Sequence, residues 1–211
     1  MIRKATRPLL IMSILMTVVA LVATACGGGG GPSDKQVAFQ GDMRKLWEDH
    51  ITWTRLAIES LVNGSPDTQA TVNRLLQNQA DIGNAIKPYY GNAAGDKLAS
   101  LLHDHITIAA EVVTDAKAGD SAKLTDAQAR WNSNADDIAA LLSGANPTNW
   151  PLNVMQATMK EHLGLTTSEA VAYIKGDYSG SVAAYDQVHA HIIHMADTLS
   201  SGIIKQFPKM F

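Results

Sequence analysis

Residues 43–66 read MRKLWEDHITWTRLAIESLVNGSP, and this stretch decides the fold. Met43, Trp47, His50, Thr54, Ala57 and Leu61 recur at alternating steps of four and three residues, the stripe that one face of an α-helix presents. Asn63-Gly64-Ser65-Pro66 then ends it, because glycine accepts the left-handed conformation that closes helices and proline cannot continue one. No strand-like alternation of apolar and polar residues competes with this reading.

The same pattern runs outward along the chain from about Asp34. Leu98, Leu101, His105, Ala109, Val112 and Ala116 form a second stripe, and Met155, Met159, His162, Thr166, Glu169 and Tyr173 a third. Ala184, Val188, His191, Met195 and Thr198 form a fourth. Breakers fall between the runs: Pro88 with Gly91, Ala118-Gly119-Asp120, Gly144 with Pro147 and Pro151, and Lys175-Gly176-Asp177. This punctuation predicts an all-α domain over residues 37–211, built from six helices in an up-down bundle after an N-terminal signal helix. The helices pair into three consecutive antiparallel hairpins at about 40–92, 95–148 and 151–208.

The hairpins read as diverged copies of one unit. Asp49-His50-Ile51, Asp104-His105-Ile106 and Glu161-His162-Leu163 share an acidic-His-aliphatic triplet, and a turn glycine follows each His after 14 residues, at Gly64, Gly119 and Gly176. The returning helices carry Asn78-x-x-Asp81-Ile82, Asn134-x-x-Asp137-Ile138 and His191-x-x-His194-Met195. Residues equally far from an antiparallel turn lie at one height, here about 21 Å from it. His50 is therefore expected to face Asn78, His105 to face Asn134, and His162 to face His191, all in one inward polar layer.

Imidazole is the commonest side-chain ligand for transition metals, and bundles build such sites from facing helices. The layer therefore points to a metal ion or haem held by His50, His105, His162 and His191, with His194 joining from one turn along its helix. Met155, Met159 and Met195 beside the histidines tilt the choice toward copper, with zinc and iron as the other candidates. Asp49, Asp104 and Glu161 would orient the imidazoles, supported by Asn78, Asp81, Asn134 and Asp137. The alternative is a structural or protein-interaction module whose His, Asn and Asp layer is only a core hydrogen-bond network. His103 and His189 are expected to point away from the layer. The chain has no Glu-x-x-His pair for a di-iron centre, no His-Glu-x-x-His and no phosphate-cradling glycine loop.

Arg3, Lys4 and Arg7 precede an apolar run from Leu9 to Ala25, the layout of an export signal over residues 1–25. Its removal takes three of the 17 basic residues and none of the 20 acidic ones, moving the formal charge from −3 to −6, which argues against nucleic acid as a partner. Ala23-Thr24-Ala25-Cys26 resembles the lipobox of bacterial lipoproteins, with Ala23 where most lipoboxes carry Leu. The resemblance implies that Cys26, the single cysteine, becomes a lipidated N-terminus and anchors the chain to a membrane, facing outside the cytoplasm. Residues 26–36 would then be a Gly-rich tether with a reach of about 17 Å. The same Ala-Thr-Ala also suits cleavage to a secreted protein, and the apolar run is near the lower limit, ~17 residues, of a retained span.

Overall fold

Ser33 sets the start of the folded region. Its hydroxyl accepts from the Gln36 amide at 3.2 Å while the Gln36 side chain accepts from the Ser33 N–H at 3.0 Å, so two otherwise unpaired donors are met reciprocally. The computed structural model describes residues 31–211; the signal segment 1–25 and Cys26 lie outside them. Five helices follow: α1 Asp34–Asn63, α2 Thr68–Ala118, α3 Ser121–Ala145, α4 Leu152–Ile174 and α5 Tyr178–Gln206. No strand occurs among the described residues, and no helix there is long and apolar enough to cross a membrane.

The break expected at Pro88 and Gly91 falls inside α2, which is two helical arms joined at Gly91 with no loop between them. Only Gly91 leaves helical conformation, at φ 82° and ψ 168°, and the residues on both sides stay helical within α2. That one residue reverses the chain. A Cβ placed on Gly83 would lie 2.6 Å from the Gly95 carbonyl oxygen, whereas twelve residues of straight helix would separate the two by about 18 Å. The absence of side chains at Gly83 and Gly95 is what lets the two arms of α2 pack against each other.

The other reversals follow the sequence. Gly64, Gly119 and Gly176 all take positive φ, at 62°, 70° and 75°. Asp120 and Asp177 cap the helices that follow, accepting from the Lys123 amide at 3.1 Å and the Gly180 amide at 2.9 Å. Successive helices pack as neighbours and α5 returns to α1, closing a ring; α4 touches both of its chain neighbours and also α1 and α2. The main core runs through Trp47, Ile82, Leu98, Ile138, Met159 and Ile192. Toward the Gly64, Gly119 and Gly176 turns it breaks into two small clusters, one around Ala57, Leu75 and Ile106 and one around Ile58, Val113 and Ala170.

At the opposite end Trp150, 1% exposed, packs against Gly202 and donates from its indole to the Thr198 carbonyl at 3.3 Å. Any Cβ on Gly202 would overlap that indole. Gly202→Ala is expected to destabilise the fold by about 1–3 kcal/mol through overpacking, and Gly119→Ala by about 1 kcal/mol through its left-handed backbone. Urea denaturation midpoints measure both, and an unchanged midpoint in Gly202→Ala would contradict the packing at this corner.

Candidate functional site

His162 on α4 is the centre of the polar layer. Its ring centroid lies 5.7 Å from that of His50 on α1, 6.2 Å from His105 on α2 and 6.0 Å from His191 on α5. His50, His105 and His162 are 2–3% exposed, and the His191 side chain 10%. Trp47 covers the outer side of His50 and Trp131 that of His105, at 5.7 and 5.3 Å between centroids.

Side-chain amides fix the tautomers of two rings. Gln79 Nε2 lies 2.8 Å from the Leu75 carbonyl, 3.2 Å from Asn78 Oδ1 and 3.2 Å from His50 Nδ1. Turning that amide over would set its oxygen against two other oxygens, so Nε2 donates and His50 Nδ1 accepts. The proton of neutral His50 is therefore on Nε2. Asn134 presents the opposite polarity: its Nδ2 donates to the Leu101 carbonyl at 2.9 Å, which leaves Oδ1 to accept from His105 Nδ1 at 2.8 Å. His105 consequently carries its lone pair on Nε2.

Several expected positions are revised by this arrangement. His50 pairs with Gln79 and not with Asn78, whose amide instead donates to the Leu46 carbonyl at 3.0 Å. The observed pairs His50–Gln79 and His105–Asn134 are each 29 residues apart, the separation of His162 from His191. His194 is exposed and outside the layer. Asp49 holds Lys45 at 2.6 Å, Asp81 accepts from Gln77 at 3.1 Å, Asp104 lies beside exposed His103 at 3.6 Å, and Asp137 is exposed. Of the three acidic residues that precede a histidine, Glu161 alone approaches a layer imidazole, 3.6 Å from His191 Nδ1. His189 points away from the layer, against Glu48 at 3.0 Å. Among the described residues no three His, Cys, Asp or Glu side chains are placed to hold a metal ion.

Burial keeps these rings neutral. It pushes His50 down to about 3 and His105 to about 4, and the neighbouring His105 adds to the shift at His50. His162 is held well below the usual imidazole range by burial and then by the three rings around it. Burial also lowers His191, with Glu161 opposing.

Two features escaped the sequence reading. Glu169, 2% exposed, accepts from Arg55 at 2.9 Å, and the guanidinium also sits 5.2 Å from the centre of the Tyr185 ring. Burial pushes that carboxyl up to about 7 against the pull of Arg55. Its place on the His162 stripe was the available signal. The second is an apolar cavity of about 80 Å³ between α1, α2, α3 and α4. It occupies the gap between the two small core clusters, and five alanines, at positions 57, 109, 110, 116 and 170, leave that space open. Leu75, Ile106, Trp131 and Thr166 of its wall lie within one helical turn of, or against, layer residues.

No protein-family model, curated protein or solved structure matches the chain.

The layer makes stability pH-dependent with a defined sign. Below the unfolded imidazole value of 6.5 the unfolded chain binds protons that folded His50, His105 and His162 refuse, so stability falls as pH drops toward about 4. Glu169 acts in reverse, costing stability as pH rises from 4.5 through about 7. Urea midpoints are expected to level off above about pH 7 and fall steeply on the acid side, where three imidazoles outweigh one carboxyl; a flat profile from pH 7 to 4 would contradict a neutral buried layer. Asn134→Leu, which leaves His105 Nδ1–H unmet, should cost about 1–3 kcal/mol.

Proposed function

We propose that this chain is an exported, membrane-tethered binding protein, and that it holds a small apolar molecule in the cavity between α1, α2, α3 and α4. One observation carries the reading: the core, continuous elsewhere, parts around an aliphatic cavity of about 80 Å³. That is below the ~300–1,000 Å³ of drug-sized sites, so the occupant is a small hydrocarbon. The histidine layer is the floor beside it. Its amide-bonded imidazoles fix the helices in register, so the cavity keeps its shape without a ligand.

The tethering rests on Ala23-Thr24-Ala25-Cys26 and the preceding apolar run. Lipid on Cys26 would anchor the chain stably, since diacylation supplies the second hydrocarbon chain that durable attachment needs. The cavity lies toward the end of α1 opposite Ser33, along a helix about 45 Å long. The equal 29-residue spacing of His50–Gln79, His105–Asn134 and His162–His191 supports descent of the three hairpins from one unit.

A second reading keeps the layer as a site for copper, zinc, iron or haem. It is favoured by the three imidazoles around His162 and by His162 Nδ1, which has no hydrogen-bond partner among the described residues. Against it, both nitrogens of His50 are committed in the neutral tautomer above, and no histidine is part of the cavity wall.

Benzene tests the first reading. Saturation-transfer NMR is expected to detect its binding to the full chain, Ala110→Trp, which fills the cavity, should abolish the signal, and no transfer to the unaltered chain would contradict the reading. One equivalent of copper or zinc retained through dialysis and lost in His162→Ala would favour the metal reading instead. Mass spectrometry of the N-terminal peptide should find diacylglycerol on Cys26; an unmodified N-terminus in the culture medium would point to the secreted alternative.

A further inference from the structure

We infer that the end of the bundle holding Ser33 and Phe211 docks on an anionic lipid surface, through Lys35, Lys205 and Lys209 and the exposed apolar side chains Val37, Leu152 and Met210. This rests on the membrane tethering proposed above and adds how the folded domain itself meets that membrane.

The face is built by every helix. α1 and α4 begin at this end, α3 and α5 finish at it, and the Gly91 reversal of α2 lies in it. Phe39, Tyr89, Phe207 and Phe211 interlock there with ring centroids 5.0 to 5.8 Å apart. The Ser33 hydroxyl donates to the Phe211 carbonyl at 2.9 Å, so the segment after α5 is fastened across the end, with Lys209 and Met210 exposed. Val37 in the first turn of α1, Leu152 in the first turn of α4 and Met210 in that closing segment are 55%, 45% and 44% exposed.

Charge separates this end from the other. Lys35, Lys97, Lys205 and Lys209 are exposed here. Among the described residues Asp34 and Asp96 are the only acidic side chains within two helical turns of it, and Asp96 is paired with Lys87 at 2.6 Å. Acidic side chains outnumber basic ones at the opposite end, where Asp67, Asp120 and Asp177 stand in the turns themselves. A domain that is acidic as a whole therefore presents a basic end with apolar side chains among its lysines. Such a face suits the boundary of a bilayer, where lysines meet headgroup phosphates and apolar side chains enter beside the acyl chains. A second copy seated on the same face would set lysine against lysine.

The tether reaches the same end. Cys26 precedes Ser33 by seven residues, about 25 Å of chain at full stretch, whereas α1 alone is about 45 Å long. Lipid on Cys26 would hold the Ser33 end at the membrane, and the charge distribution would turn the acidic end away from it.

The test acetylates lysines of the full chain, carrying its own lipid, on vesicles of phosphatidylcholine with phosphatidylglycerol and on vesicles of phosphatidylcholine alone, and reads each site by mass spectrometry. Lys35, Lys205 and Lys209 should react several-fold more slowly on the anionic vesicles, while Lys123 and Lys175 at the other end react equally on both. Lys35→Glu combined with Lys209→Glu should restore the reaction of Lys205 on anionic vesicles and leave the urea midpoint unchanged. A chain retained on vesicles whose Lys35, Lys205 and Lys209 react alike on both compositions would overturn the docking face and leave the tethering standing. Slowing of the same lysines by raised protein concentration without vesicles would assign the face to a second copy instead. A chain that does not stay with the vesicles would overturn the tethering, and this inference with it.

Discussion

The structure depends on keeping several imidazoles neutral in the middle of a helical bundle. His162 projects from α4, which touches α1, α2, α3 and α5, and meets rings from α1, α2 and α5 within 6.2 Å. Charge on any of them would be desolvated and would repel its neighbours, so the layer is tolerable only as neutral rings. Gln79 and Asn134 fix two of the rings, His50 and His105, with opposite polarity, one donating to a ring nitrogen and one accepting from it. Because such pairs lose their geometry when helices slide, the layer specifies register in a way that interchangeable aliphatic contacts do not.

That fixed register has a consequence one turn away. Between the layer and the Gly64, Gly119 and Gly176 turns, the helices are held apart at positions occupied by alanine, and the core divides around the cavity. A bundle free to slide or tilt would close such a gap, since empty apolar space forfeits dispersion contacts. The polar layer on one side and the glycine-capped turns on the other keep it open. The buried Arg55–Glu169 pair works from the same side of α1 and α4, tying the two helices beside the cavity.

Much of this was legible in the sequence because it depends on local rules. The stripe through Met43, Trp47 and His50 gave the helix period, and the three glycines 14 residues beyond each triplet histidine mark left-handed turns. The inward histidines followed from the same stripes. Gln79 was missed because counting from the turn glycine leads to Asn78, the match to Asn134; which of two adjacent amides reaches the ring depends on helix rotation, and spacing does not specify it. The reversal at Pro88 and Gly91 was legible for the same reason, but its form was not, because one residue at φ 82° folds the chain back with no loop between the arms of α2. The cavity had no local signature at all, since alanines facing one another across four helices look like alanines anywhere.

The central claim is that the layer is a neutral, amide-fixed framework and not a set of free ligands. Long-range proton–nitrogen NMR of the imidazoles at pH 7 tests it most directly. The account predicts His50 protonated on Nε2 and His105 on Nδ1, with neither signal moved by an equivalent of zinc or copper. Both rings protonated on Nδ1, with their Nε2 signals displaced by the added metal, would contradict it.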